Sequence, residues 1–154
     1  ERYKKEFFSL KKKHPEIKRV SDIPGIGEVG AVKIVSRIVE AKRFKTKNHF
    51  LSYCGLVKLE KISGGKSYGK KNSRYSRMMK NVFKTAAVVV IDGNNPFNDY
   101  YQHLIKEKQY TDFDARNAVA RKVASTVYGV MKNNTKYIPY KRMETNVVDK
   151  NADL

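Results

Sequence analysis

The sequence has no tryptophan, one cysteine, and only 15 acidic residues against 33 lysines and arginines, and each shortage excludes something. A single cysteine, Cys54, cannot build an internal disulfide framework, so a reducing, cytoplasmic setting is expected. Within "LSYCGL" it reads as a small buried hydrophobe rather than a reactive thiol. Long apolar runs are missing too. The longest, Ala86 to Ile91, is far short of the roughly 20 residues a bilayer span needs, and no charged-then-apolar leader opens the chain, so no membrane partner is expected. His14, His49 and His103 are scattered, and the acids form no close array outside helix starts such as Asp112 and Asp114. No metal site, and no self-contained two-metal nuclease, is therefore expected in this chain. What remains is a formal net charge of +18 on 154 residues, with 40% hydrophobic residues to build a core. Such a chain folds and attracts polyanions. It begins with Glu1 rather than methionine, which suggests a piece of something longer.

Residues 1–14 alternate charge with Tyr3, Phe7, Phe8 and Leu10 at helical spacing, the end of a coiled-coil type of helix whose apolar seam needs a partner. Pro15 restarts a short helix ending near Ile23. "PGIG", Pro24 to Gly27, forces a tight turn before a second helix from about Glu28 to Glu40, with Val29, Val32, Val35 or Ser36, and Val39 expected inward. Residues 16–40 thus read as a helix-hairpin-helix. Thr46 is placed to cap a short helix through Tyr53, with Gly55 as its left-handed stop. Residues 56–72 form a basic loop around Ser63, with at most a small hairpin. A long helix is expected from about Ser73 to Asp92, with Met79, Val82, Phe83, Ala86 and Val90 inward and Arg74, Arg77, Lys80 and Lys84 outward. Pro96 suits the first position of the next helix. Thr111 with Asp114 resembles a capping box opening a helix to about Lys132, with Val119, Val123, Val127 and Val130 inward. The expectation is an all-α fold: one domain over 15–133, its bundle at 73–133, and a polar, loosely ordered tail at 134–154.

"GIGEVG", Gly25 to Gly30, matches the dinucleotide-binding glycine pattern, but Pro24 and a polar helix stand where that motif needs a strand. In a helix-hairpin-helix the same glycines expose backbone N–H groups at a helix start, where a DNA phosphate can be held without reading sequence. A plain structural connection is the competing reading. "GGKS", Gly64 to Ser67, mimics the end of a Walker A loop, yet Glu60 stands where its first glycine must, so no ATPase follows. Between Ala41 and Lys84 there are 13 Lys or Arg against one acid, Glu60, with Tyr53, Tyr68 and Tyr75 interleaved. That is an electrostatic footprint for nucleic acid. Its candidate contacts are Gly25, Gly27, Lys33, Lys61, Lys66, Lys70, Lys71, Arg74, Arg77, Lys80 and Lys84. Ser63 has no His or Asp paired with it nearby in sequence, and a serine is a weak nucleophile until something takes its proton. On the residues alone it stays open as a loop serine, a phosphate-binding hydroxyl, or a nucleophile whose transition state the lysines would stabilise. Two non-catalytic readings stand beside this: a module that binds DNA or RNA structure, and a helical assembly module working through residues 1–13 and the last helix.

Taken in order, "IPGIGEVGAVKIVSRI", "RFKTKNHFLSYCGLV", "SGGKSYGK", "RMMKNVFKTAA", "NPFNDYYQHLIKEK" and "ARNAVARKVASTVYGVMK" resemble the C-terminal transposase domain of the Piv-type insertion-sequence transposases. These are serine-using recombinases of bacteria and archaea, and their members include RNA-guided ones. The resemblance covers roughly Ser21 to Lys132. It implies a preceding RuvC-like domain whose four acids bind Mg²⁺, then a coiled coil, then this domain, so Mg²⁺ is expected there and no cofactor here. The family's serine forms a covalent phosphoserine link with a cut strand. Its Ser-Gly block falls at Ser63, followed by Gly64 and Gly65, which makes Ser63 the implied nucleophile and Ser67 the runner-up. The implied partners are double-stranded DNA, guide RNA and further copies of the protein as a dimer or tetramer, in the prokaryotic nucleoid. The chain departs from the family pattern at Lys58, where a proline is usual after "GLV", and near Asn72, where a glycine commonly stands.

Overall fold

In the computed structural model, which describes residues 1–71 and 74–139, the fold grows around its longest helix. Thr111 takes extended backbone, accepts the Asp114 N–H at 3.1 Å and donates its hydroxyl to the Asp114 carboxylate at 2.8 Å. Helix α7 then runs Asp112–Asn133. Val119, Val123, Val127 and Val130 are buried as their spacing predicts, interleaved with Ala115, Ala118, Ala120 and Ala124, which are buried too. Small side chains let neighbours approach on several sides, and α7 packs against most of the other helices.

Those are α1 (Arg2–Lys13), α2 (Pro15–Ser21), α3 (Gly27–Ile38), α4 (Lys47–Tyr53), α5 (Arg77–Ile91) and α6 (Pro96–Lys106). A short 3-10 turn at Ala41–Arg43 links α3 to α4. Among the described residues the only sheet is an antiparallel hairpin, β1 (Leu59–Ser63) with β2 (Lys66–Lys71). The expected all-α fold is what these residues form. No described helix is long and apolar enough to cross a membrane.

Aromatic packing ties α4, α5 and α7 together. Fully buried Phe50 stacks on Tyr128 at 5.2 Å between centroids and meets Phe83 edge-on at 6.2 Å and Phe44 at 5.3 Å. The Tyr128 hydroxyl donates to the Phe44 carbonyl at 3.2 Å, so its polar tip is satisfied. Thr46 caps α4 as expected, accepting the His49 N–H at 3.3 Å, and Gly55 follows that helix at φ +68°.

Two expectations on helix placement need correction. In α3 the buried side chains are Ala31, Ile34, Val35 and Ile38, whereas Val29 and Val39 are 51% and 78% exposed. The valine stripe advances by 3, 3 and 4 residues, while 31, 34, 35 and 38 follow the i, i+3, i+4, i+7 pattern of a 3.6-residue turn and bury larger side chains. Helix α5 begins at Arg77 rather than near Ser73, because the Ser76 side chain accepts the Met79 N–H at 3.3 Å. Arg74 therefore precedes the helix. In α1 only Phe7 is buried; Tyr3, Phe8 and Leu10 are exposed. Asn72, Ser73 and residues 140–154, which include most of the expected tail, lie outside the described residues.

Candidate nucleic-acid interface

The Ser63 segment folds into a hairpin for a reason its glycines supply. Ser63 pairs with Lys66, and between them Gly64 and Gly65 take φ +56° and +75°. Two successive positive φ values make a type I′ turn, whose twist suits the flanking strands. Nothing lies within 4 Å of where a Cβ would stand on either glycine, so backbone conformation rather than space requires them. A directly opposed pair keeps its side chains on one face of the ribbon, about 5 Å apart at Cβ. Lys66 thus shares a face with Ser63, and Ser67, one residue on, points to the other face. Ser63, Lys66 and Ser67 are all exposed. Farther down, Ile62 pairs with Ser67 and Glu60 with Lys70, which leaves one extra residue in β2, where Gly69 stands at φ +91°. This is a bulge that sharpens the ribbon's twist. The side chains of Lys61, Lys70 and Lys71 lie outside the described part.

Both ends of the hairpin return to the end of α4. Ser76 donates its N–H to the Tyr53 carbonyl at 2.8 Å, and a Cβ on Gly55 would stand 2.6 Å from Tyr75 Cδ2, so glycine there makes room for the Tyr75 ring. At about 3.3 Å per residue, the Ser63 end of the ribbon reaches roughly 13 Å beyond Leu59.

Turned at 100° per residue, α5 carries two separate polar flanks. On one, Met78, Asn81 and Thr85 face the turn between α2 and α3 across a groove of about 410 Å³ that Gly25, Gly30 and Lys33 also line. Gly27, at φ +65°, opens α3 with open space around it, and Ile26 gives that helix no side-chain cap. Glu28 in the same first turn is an acid beside these N–H groups, and its carboxylate lies 3.8 Å from the Lys11 ammonium. Gly25 is different, because it lies against α5.

On the other flank, Lys80 and Lys84 meet Arg121 and Asn117 of α7 and Lys58 of the loop before β1, around a cleft of about 230 Å³. Among the described residues, no Asp or Glu lines it. The Lys84 ammonium donates to the Asn117 side-chain carbonyl. Burial first, then the charges of Lys80 and Arg121, hold Lys84 below the usual lysine range. The structure therefore brings Lys80 and Lys84 together, sets Gly25, Gly27 and Lys33 on the opposite flank, and leaves Arg74 and Arg77 exposed at the α5 entry. Asn117 and Arg121 were not foreseen. With Asp114 they form a polar stripe at i, i+3, i+7 along α7, and that was the available signal.

Cys54 is fully buried, and burial pushes its thiol up to about 12, so it stays protonated. Among the described residues no three His, Cys, Asp or Glu side chains gather as a metal site.

These features first define a class: a strongly basic helical domain with cations gathered around a cleft beside a glycine-tipped ribbon. The comparison with family models then specifies it. The model of the Transposase IS116/IS110/IS902 family matches residues 17–102, over half of the chain, and the chain belongs to that family. Membership gives it a transposase role in DNA recombination. Among curated proteins, none matches this chain. The family match spans α3, the hairpin and α5, while Asn117 and Arg121 lie beyond it.

Proposed function

We propose that this chain is the DNA-gripping and nucleophilic-serine part of its transposase, with Ser63 as the residue that links to a cut strand. The observation that carries the reading is the pairing of Ser63 with Lys66 across the Gly64–Gly65 turn, which presents an exposed hydroxyl and a cation side by side at the tip of a ribbon. In the step assigned to it, Ser63 Oγ forms a bond to phosphorus as one P–O bond to a deoxyribose breaks. The serine proton passes to a base or water, and the departing sugar oxygen takes up a proton. One phosphate ester replaces another, so a hydroxyl from a second strand can reverse the exchange and join without further energy input. The Lys66 ammonium would offset the negative charge that builds on the phosphoryl oxygens. Ser67 faces away from Lys66, which favours Ser63 over it.

The Mg²⁺ that the resemblance assigns to a separate RuvC-like domain finds no donor set among the described residues, and the chemistry assigned to this chain does not pass through it. In this reading duplex DNA lies along the Gly27 and Lys33 flank, and guide RNA and further copies of the protein complete the assembly in the nucleoid.

The test is to incubate full-length protein with DNA carrying its element ends, quench in denaturant and look for a covalent protein–DNA species. Ser63→Ala should lower its yield by about 10³-fold or more, because a covalent step loses its atom, while Ser67→Ala should retain it. A link that survives Ser63→Ala assigns the nucleophile elsewhere. Tight binding with no link under conditions of strand exchange would leave a non-catalytic nucleic-acid module.

A further inference from the structure

The cleft between α5 and α7 gathers Lys58, Lys80, Lys84 and Arg121, and among the described residues no carboxylate stands in its lining. Holding like charges together costs Coulomb energy, which a bound anion repays. The Asn117 side-chain carbonyl there is already taken by Lys84, and burial first, then the charges of Lys80 and Arg121, lowers the affinity of that lysine for its proton. At about 230 Å³ the cleft is smaller than the roughly 300 Å³ at which pockets for drug-sized ligands begin, the scale of a phosphate group rather than a whole nucleotide.

Two aromatic rings flank it, each in contact with a cation of the lining. The Lys80 ammonium lies 4.9 Å from the centroid of Tyr75, and that of Lys84 lies 5.7 Å from the centroid of Phe113. Phe113 is 71% exposed, so its ring is not spent on the core. A paired base already has neighbours on both faces and gains nothing from such a ring, whereas an unpaired base gains a stacking partner.

We propose that this cleft is a site for an unpaired nucleic-acid strand, with one phosphodiester held by Lys80, Lys84 and Arg121 and a neighbouring base laid on Phe113. The proposal rests on the nucleic-acid reading above and adds the strandedness of the ligand. The chemistry is common to single-stranded DNA and to an RNA loop.

The experiment is a fluorescence anisotropy titration of the chain with oligo-dT and oligo-U of about 12 nucleotides, a length within the usual single-strand site size, and with a duplex of equal length. Phe113→Ala should weaken single-strand binding roughly tenfold, the loss expected for one stacked base, and leave duplex binding within about twofold. Arg121→Gln should weaken it more than Lys4→Gln, a charge-matched change on α1. A strand carrying 2-aminopurine should be quenched on binding, released by Phe113→Ala and quenched again by Phe113→Tyr, which a merely structural role would not produce. A tenfold preference for oligo-dT or for oligo-U assigns the strand as DNA or RNA. Equal losses for single strand and duplex, or a Phe113→Ala effect no larger than that of Lys4→Gln, overturn the proposal. If duplex binds and single strands do not, only this proposal falls. If neither binds, the nucleic-acid reading falls with it.

Discussion

A methyl group at position 25 would stand 2.7 Å from Val90 Cγ1 and 2.8 Å from the Ala86 carbonyl oxygen, on a residue whose φ is +84°. The second of these neighbours is backbone inside a helix and cannot swing away. At position 27 the φ is also positive, at +65°, but nothing lies within 4 Å. Two glycines of one four-residue motif thus answer to different constraints: Gly25 lets the turn settle on α5, and Gly27 only bends the chain. Gly25→Ala should therefore cost about 2–4 kcal/mol, combining left-handed strain with a clash, and Gly27→Ala about 1 kcal/mol. Urea unfolding of the two variants checks the difference, and equal losses would mean that the turn does not rest on α5. From sequence, "PGIG" shows that the chain turns sharply. It does not show that a helix beginning some fifty residues later packs over the first glycine, since that contact has no local signature.

At the scale of the element, legibility followed the physics of each kind of structure. Caps and stops are local, so Thr46, Thr111, Pro96 and Gly55 were readable from neighbours in the chain. The inward valines of α7 were readable because they recur at steps of four, four and three residues, the spacing of one helix face. In α3 two apolar stripes compete, and only packing against α2 and α5 selects the one carrying Ile34 and Ile38. The hairpin was legible only as the most that a basic, glycine-bearing loop would allow. Its strands are joined by backbone bonds, and an exposed ribbon has no need of the alternating pattern that a half-buried strand shows. The turn residues decide its shape. Gly64→Asn keeps positive φ acceptable at the first turn position and should leave covalent strand linkage within about threefold. Gly65→Pro fixes φ near −65°, is incompatible with the observed +75°, and should lower linkage by tenfold or more. Thermal unfolding of the two variants controls for wider damage. Full linkage by Gly65→Pro would show that Ser63 does not act from a hairpin tip.

Across the whole molecule, an excess of +18 is more than any one contact uses, and composition alone cannot say where it is concentrated. The fold sorts it by running α5 through the middle with a different surface on each flank. Lys33 lines the groove toward α3, and Lys80 and Lys84 line the basic cleft toward α7. The second grouping needed α7, whose Arg121 lies outside the basic middle of the sequence, so reading the chain segment by segment missed it. If the two flanks hold different ligands, their salt dependences must separate. Each phosphate contact releases counterions and contributes about 0.9 to the slope of log K against log salt for duplex DNA and about 0.7 for a single strand. Lys33→Gln should therefore lower the duplex slope by about 0.9 and leave the single-strand slope unchanged. Lys80→Gln should lower the single-strand slope by about 0.7 and leave the duplex slope unchanged. Both substitutions remove one unit of charge, so a change in overall field acts on both ligands alike and cannot produce that crossover. Slopes that fall together for both ligands, whichever lysine is replaced, would mean that the chain binds nucleic acid with one diffuse surface and that the two flanks of α5 are not distinct sites.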